Sequence, residues 1–373
     1  MDQELRNAVR EHNGVDKVKN LVAAGININA KDKYGWTAVM LAAKLGHAAT
    51  VQYLIEQEGI QVEEKDWNGW TALVYGAMGG YTTIVQCLIE QGGAKVDEKD
   101  ENGCTALMKA AENGHTATVQ CLIEQGGAQV DEKDEYGRTA LMDAAIRGHI
   151  ATVQWLIEQG RAKVDEKDKW GNTAFLLAAS HGRFATVKYF IEEDRATADE
   201  KNTRNGCTVL MEAAMGRDLA TVKYLVEEAG ANTNEKAKNG WTALIYSLSC
   251  NEEIVSYLMQ KARANVDEND EAGDSTFMWA ANRGLTMVVR YLFEKSQANV
   301  NEKDEHGRTA LMRAAGWGHV STVEYLILET SANVAEKDNN GRTALQWAAA
   351  NGHTDTIEYL IEEIWDLSED LSV

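Results

Sequence analysis

The sequence contains no proline, although an average chain of its 373 residues would carry roughly eighteen. This absence argues against proline-rich linkers or tails between separate domains. Long hydrophobic runs are also missing: none approaches the roughly 18 residues of a membrane-spanning helix, so we expect no membrane association. The first residues are polar and lack the hydrophobic segment of a signal peptide. We therefore expect a cytoplasmic protein, in a host cell if the chain is a secreted effector.

Positive charge is scarce, because 58 acidic residues outnumber 37 lysines and arginines and leave a formal charge of −21. A chain of this charge repels phosphate groups, so nucleic acid is not an expected partner unless basic residues cluster locally. Cysteine is scarce as well, and none of the five lies in a Cys-x-x-Cys pair that would suggest a zinc site. We expect reduced thiols, no metal and no cofactor.

One short segment is repeated many times, for example as "GCTALMKAAENGH" at 103–115 and "GRTALMDAAIRGH" at 137–149. Its first glycine recurs every 33 to 35 residues, at Gly35, Gly69, Gly103, Gly137, Gly171, Gly206, Gly240, Gly273, Gly307 and Gly341. A fixed period of this length indicates an array of stacked structural repeats. A degenerate unit precedes the first glycine, which brings the expected number of units to eleven.

Each unit predicts two helices joined by a short loop. In the unit that begins at Gly137, apolar residues have helical spacing over 140–147, with Thr139 as the N-cap and Gly148 at the C-terminus. A second helical pattern follows over 152–159, and a charged stretch then forms a turn or hairpin. One such unit cannot bury its apolar faces alone, so each must stack on the next.

This unit resembles the ankyrin repeat. The segment "DEYGRTALMDAAIRGH" at 134–149 follows the family's order of aspartate, glycine, threonine, leucine, paired alanines and a glycine-histidine pair. Alanine replaces the family's proline, as at Ala140, which should leave the helix intact because alanine is the best helix former. Methionine usually replaces the family's first histidine, as at Met142, and this change is expected to remove one hydrogen bond.

The resemblance covers nearly the whole chain. It implies an all-α fold, a curved α-solenoid of stacked ankyrin repeats with projecting hairpin loops, in a single domain over residues 1–373. Within it we expect an N-terminal capping repeat over 1–32, internal repeats over 33–340, and a last repeat with a C-terminal capping helix over 341–373. Trp365 and Leu367 are predicted to cover the open face of that last repeat, and irregular units near 245–285 are predicted to change the stacking locally.

Residues that could carry chemistry recur with the period of the repeat. Five histidines hold one repeat position, namely His47, His115, His149, His319 and His353. The acidic motif "VDEKD" recurs at 96–100, 130–134 and 164–168. Catalysis needs one site, whereas a repeated position is what a structural role produces. We interpret the histidines as packing residues and the acidic motifs as a solvated edge, and we expect no enzyme.

The tryptophans provide the candidate binding surface. Eight of them occupy positions that the repeat pattern leaves variable, namely Trp36, Trp67, Trp70, Trp170, Trp241, Trp279, Trp317 and Trp347. In ankyrin repeats, these positions form the hairpin tips and the concave face, where the family binds proteins. Exposed aromatic and arginine side chains often dominate such interfaces. The alternative is that the tryptophans only pack between repeats.

Two groups of residues follow from this reasoning, one near each end of the chain. The predicted partner-binding residues are Tyr34, Trp36, Trp67, Trp70, Tyr75, Arg138, Trp170, Trp241, Trp279, Arg308, Arg313, Trp317, Arg342 and Trp347. The group near the N-terminus is Tyr34, Trp36, Trp67, Trp70 and Tyr75, and the later, C-terminal group is Trp279, Arg308, Arg313, Trp317, Arg342 and Trp347. The later group is rich in arginine on an otherwise acidic chain. It therefore predicts an acidic or aromatic-containing segment as its ligand.

The predicted function is a non-enzymatic protein-protein interaction module or scaffold, which binds an unidentified protein partner through its concave face and hairpin tips. We expect a monomer. The first alternative is the recognition arm or regulatory subunit of a larger assembly or effector. An enzyme with a dispersed site would require a deep cleft with a strongly shifted carboxylate or histidine. A nucleic-acid binder would show a steep salt dependence of binding.

Overall fold

The structure is a computed structural model that describes residues 2–11, 13–249, 251–262, 264–266, 269–296 and 298–370. The side chains of Ser296 and of residues 364–370 are left out of the description. The prediction that Trp365 and Leu367 cover the last repeat lies outside the described side chains. The chain divides into two compact units, residues 1–197 and 198–373.

The first unit contains six pairs of helices. Its helices are α1 (Gln3–Arg10), α2 (Val15–Ala23), α3 (Ala38–Leu45), α4 (Ala48–Ile55), α5 (Ala72–Met78), α6 (Thr82–Glu90), α7 (Ala106–Glu112), α8 (Thr116–Glu124), α9 (Ala140–Arg147), α10 (Ile150–Glu158), α11 (Ala174–Ser180) and α12 (Phe184–Glu192). The odd-numbered helices pack on one another in succession, and the even-numbered helices form a second row. We call these two rows the first-helix row and the second-helix row.

The second unit repeats this arrangement with five pairs. Its helices are α13 (Val209–Met215), α14 (Leu219–Glu227), α15 (Ala243–Ser247), α16 (Glu252–Gln260), α17 (Thr276–Asn282), α18 (Thr286–Ser296), α19 (Ala310–Gly316), α20 (Val320–Leu328), α21 (Ala344–Asn351) and α22 (Thr354–Asp370). Helix α15 has 5 residues, whereas its neighbours α13 and α17 each have 7. The predicted all-α fold of stacked helix pairs is confirmed.

A hydroxyl side chain begins each first-row helix from α3 onward. In the repeat that contains Thr139, this hydroxyl accepts the backbone N–H of Met142 at 3.4 Å, which satisfies one of the free donors of the first turn. Methionine restores a second bond in two repeats: the Sδ atoms of Met40 and Met211 accept the backbone N–H of the capping threonine at 3.4 and 3.3 Å. The expected loss of a hydrogen bond is therefore wrong for these two repeats.

Small side chains allow successive first-row helices to approach closely. The paired alanines are fully buried except in the last repeat, where Ala349 is exposed; Ala144 and Ala145 in α9 illustrate the buried pair. Histidine joins the two rows: His149 donates its Nε2 proton to the carbonyl of Glu112 in the preceding repeat, at 3.0 Å. His115 makes the equivalent bond to the carbonyl of Met78, also at 3.0 Å. These contacts support a structural role for the repeated histidine.

The acidic motif forms a ladder of ion pairs along the turns. Lys65 lies 2.7 Å from Glu98 of the next repeat, and the same lysine donates to the carbonyl of Lys99 at 3.0 Å. The equivalent pairs are Lys31–Glu64, Lys99–Glu132, Lys133–Glu166, Lys201–Glu235 and Lys303–Glu336. The motif predicted as a solvated edge therefore also links neighbouring repeats at these six junctions. Among the described residues, no helix is long and apolar enough to cross a membrane.

Candidate functional site

In eight repeats, an aspartate that begins the turn holds the variable residues in place; Asn202 and Ala237 occupy this position in two others. Asp66 shows the arrangement: its Oδ1 accepts the backbone N–H groups of Asn68 and Trp70, both at 2.9 Å. Such a local side-chain bond substitutes for a backbone turn and holds the loop in one conformation. The same pair of bonds forms at Asp32, Asp100, Asp134, Asp168, Asp270, Asp304 and Asp338.

The second oxygen of this aspartate accepts hydrogen bonds from variable side chains. Asp66 Oδ2 accepts the indole N–H of Trp36 at 3.1 Å and the hydroxyl of Tyr75 at 2.6 Å. Burial opposes the ionisation of Asp66, but the bonds from Tyr75, the turn backbone and Trp36 outweigh it, and the pKa of Asp66 is lowered. The turn aspartate thus anchors candidate binding residues as well as the loop.

The first unit contains one aromatic cluster. The Trp36 ring contacts Tyr34 and Tyr75, with centroids 5.3 and 5.9 Å away, and the Trp70 ring also contacts Tyr75 at 5.4 Å. Trp70 donates its indole N–H to Asp100 at 2.9 Å. Trp36 and Trp70 are half-buried, whereas Tyr34 is exposed. The structure thus brings together four of the five aromatic residues predicted near the N-terminus.

Tyr75 is only 2% exposed, so the expectation that it offers an exposed surface is wrong. Its ring is enclosed by two tryptophans and its hydroxyl is bonded to Asp66, which leaves it as a support for its neighbours. Trp67 stands apart from this cluster and is 61% exposed, with its indole N–H donated to the carbonyl of Lys33 at 3.1 Å. The ammonium of Lys44 lies 4.0 Å from the Trp36 ring centroid, so a cation of the chain itself covers this indole.

Arg138 and Trp170 lie elsewhere in the first unit. The Nε of Arg138 lies 3.1 Å from Asp134, and its guanidinium lies 5.3 Å from the ring of Tyr136. Trp170 is exposed and stacks on Tyr136 with ring centroids 5.7 Å apart. These residues form a smaller surface near the turns.

Trp241 and Trp279, in the second unit, share one acceptor. Both indole N–H groups donate to Asp270 Oδ2 at 3.0 Å, and the two rings meet edge to face with centroids 4.8 Å apart. Both side chains are half-buried. Their bonds and mutual packing make them part of the repeat stack, although both remain partly exposed.

The arginines of the later group pair with buried aspartates. Arg313 bonds to Asp274 and lies 2.7 Å from Asp304 Oδ2, and the Nε of Arg308 also lies 2.7 Å from that oxygen. Burial opposes the ionisation of Asp304, but the bonds from Arg308 and Arg313 outweigh it and lower its pKa. At Asp274, burial prevails over the charge of Arg313 and raises the pKa. The buried carboxylates thus fix the positions of the guanidinium groups.

A cavity of about 670 Å³ collects most of the later group. Trp279, Arg308, Arg313, Trp317 and Trp347 line it, on the turn and first-row helices of three successive repeats. We call these five residues the arginine–tryptophan pocket.

Two tryptophans of the pocket differ in how many contacts fix their side chains. Trp347 donates to Asp338 at 3.2 Å and carries the guanidinium of Arg342 3.8 Å above its ring. Trp317 follows the end of α19 and is 63% exposed. The structure therefore brings together all six residues of the predicted C-terminal group, five in the pocket wall and Arg342 directly behind it.

Comparison with known proteins bears on what such a pocket does. A sequence model of ankyrin repeats, each match spanning three copies, matches residues 5–100, 78–168, 160–237, 176–270, 219–304 and 277–370. The chain belongs to the ankyrin-repeat family. A search of curated proteins found no match to this ankyrin-repeat protein. The fold, the pocket and the family therefore carry the functional interpretation together.

Sequence reasoning missed one charged residue of the pocket. Arg283 lines the cavity and is exposed at the end of α17, directly before Gly284. Arg147, before Gly148, holds the same repeat position in the first unit, so the alignment of repeats contained a signal for it. The described part of this ankyrin-repeat protein contains no cluster of metal-ligating side chains.

Proposed function

We propose that this ankyrin-repeat protein binds a partner protein through the arginine–tryptophan pocket and the turns beside it. Ankyrin repeats are generally protein-protein interaction modules. The proposal adds to this a specific surface, formed by three first-row helices and their turns. The observation that carries it is the meeting of three tryptophans and two arginines around one cavity of about 670 Å³.

The pocket has the composition of an interface centre. Tryptophan and arginine are enriched among residues whose loss costs most in binding. Bonds to Asp270, Asp304 and Asp338 fix the side chains before a partner arrives, which reduces the conformational entropy lost on binding. Trp317 supplies the exposed apolar surface that a partner would cover. The aromatic cluster of the first unit is a weaker candidate, because Lys44 already lies over Trp36.

Affinity capture from a cell extract tests the proposal. The bait variant carries Trp317→Ala and Arg283→Ala, because neither side chain has a hydrogen bond or ion pair among the described residues and both line the cavity. The matched control carries Leu328→Ala and Arg290→Ala. Leu328 is also 63% exposed, and both control residues lie in second-row helices of the same unit.

The proposal expects a protein that wild type and control both retain and that the pocket variant loses. A partner that all three baits retain equally would contradict it.

Ankyrin-repeat proteins are typically not enzymes, and we propose a non-enzymatic scaffold or interaction role. We also propose that the protein acts in the cytoplasm, which the free thiols of the four described cysteines support, and that it is a monomer.

A further inference from the structure

The side chains that line the arginine–tryptophan pocket carry positive charge and no carboxylate. Arg283, Arg308 and Arg313 are the charged residues among the described lining, on a chain whose formal charge is −21. The aspartates that pair with Arg308 and Arg313 lie deeper, since Asp274 and Asp304 are 4% and 6% exposed. An approaching ligand therefore meets guanidinium groups first.

These guanidinium groups have donors to spare. An arginine has five N–H donors in a fixed planar arrangement. Arg308 uses its Nε towards Asp304, and Arg283 has neither an ion pair nor a side-chain hydrogen bond among the described residues. The Nε of Arg313 has no hydrogen-bond partner there either, but it is buried, so the donors open to a ligand are those of Arg283 and Arg308. Carboxylates fit such donors in pairs, with shorter and stronger bonds than neutral acceptors form.

The remaining wall is aromatic. Trp279, Trp317 and Trp347 come from different first-row helices or their ends and face the same cavity. Aromatic side chains prefer offset or edge-to-face contacts with one another, worth more than the buried area alone. The cavity volume of about 670 Å³ lies within the range of small-ligand pockets and admits one large side chain with its neighbours.

We propose that the pocket recognises an acidic peptide segment in which an aromatic side chain lies beside glutamate or aspartate residues. The aromatic ring inserts among the tryptophans, and the flanking carboxylates bond to Arg283 and Arg308. This inference rests on the proposed function, because it names the partner chemistry of the same site. A nucleic acid could also stack bases and pair phosphates, but the strongly acidic chain repels a long phosphate backbone.

Fluorescence anisotropy with a defined probe tests this inference on the full chain. The probe is a short fluorescein-labelled peptide with one phenylalanine between pairs of glutamates. Its matched forms replace the phenylalanine by alanine or the glutamates by lysines, and a labelled single-stranded oligothymidine tests the nucleic-acid alternative. The protein variants are Trp317→Ala and Arg283→Ala, with Leu328→Ala and Arg290→Ala as controls.

We expect the glutamate–phenylalanine probe to bind, and each pocket variant to weaken its binding by about fivefold or more. Both control variants should bind as wild type does, and both altered peptides should bind more weakly. Absence of binding by the probe, equal binding of the lysine form, or tighter binding of oligothymidine would overturn the inference. If the pocket variant still loses the captured partner while the probe does not bind, the proposed function stands and this ligand chemistry is wrong.

Discussion

Trp36 donates its indole N–H to Asp66 Oδ2 across a repeat boundary, 30 residues further along the chain and 3.1 Å away. The same oxygen accepts the hydroxyl of Tyr75, while Oδ1 holds the turn. One carboxylate thus fixes a loop, a helix residue and a tryptophan of the preceding repeat. Variable side chains are thus held in place by an aspartate turn that recurs along the chain.

Because Asp66 Oδ2 accepts two side-chain hydrogen bonds, Asp66→Asn should destabilise the fold more than the same change at another turn aspartate. Asparagine keeps one oxygen for the turn but places an N–H group where Trp36 and Tyr75 both donate. An unpaired buried donor costs about 1–3 kcal/mol, so we expect the free energy of unfolding to fall by that amount. Asp168→Asn is the control, because its Oδ2 receives the amide of Asn172, which can rotate. If urea denaturation gave the same loss of unfolding free energy for both variants, the two bonds to Asp66 Oδ2 would not be the cause of the destabilisation.

Asp143 predicts an unusual pH dependence in the first unit. Burial raises its pKa from 3.8 to about 7, against the opposing charge of Arg138 3.9 Å away. The folded state binds this proton more tightly than the unfolded state, so the contribution of Asp143 to stability is greatest below pH 4 and falls as pH rises towards 7. Asp143→Asn should remove this dependence and stabilise the protein at pH 8 by about 1 kcal/mol or more. Parallel stability curves for wild type and variant between pH 5 and pH 8 would refute this assignment.

For the ladder of ion pairs, we expect the opposite pH dependence: the stability that these pairs contribute should fall as the pH is lowered. A hydrogen bond from Lys65 lowers the pKa of Glu98, so this pair stabilises the fold above the usual glutamate pKa and the effect is lost as pH falls through the lowered value. Because both side chains are partly exposed, Glu98→Gln should cost at most about 1 kcal/mol at neutral pH and less at high salt. Glu101→Gln, in the same turn, serves as control. A loss for Glu98→Gln that persists unchanged in concentrated salt would exclude an electrostatic origin.

Alanine variants of Trp279 and Trp317 should distinguish a tryptophan that packs in the fold from one that is free to bind a partner. Trp279 is bonded to Asp270 and packed on Trp241, so Trp279→Ala should lower the free energy of unfolding by about 2 kcal/mol. Trp317 is 63% exposed, so Trp317→Ala should change it by less than about 0.5 kcal/mol. Thermal denaturation of the two variants beside wild type measures both values. A large loss for Trp317→Ala would assign that residue to packing.

The repeat period was enough to predict the helical fold. Most units carry a threonine cap, paired alanines and a glycine after the first helix, and these local signals agree with one another. The contacts between repeats could not be predicted in this way. The bonds from Trp36 to Asp66 and from Lys65 to Lys99 depend on the register of one repeat against the next. That register is a result of packing and has no local sequence signal.

The sequence predicted which positions form the candidate site, but it did not predict how exposed each of these side chains is. Tyr75 and Trp317 are both aromatic residues at variable positions, yet one is buried inside α5 and the other is exposed beyond the end of α19. Neighbouring side chains decide the difference, since two tryptophans cover Tyr75. Arg283 was missed because it became relevant only when three repeats were seen to form one cavity.

Hydrogen exchange of the chain, alone and with the captured partner, tests the central claim most directly. The account predicts slower exchange on binding in α17, α19 and α21 and in the turns before them, because these elements carry the arginine–tryptophan pocket. The second-row helices α18 and α20 should exchange at unchanged rates. Protection confined to those second-row helices, or to the first unit, would contradict the account.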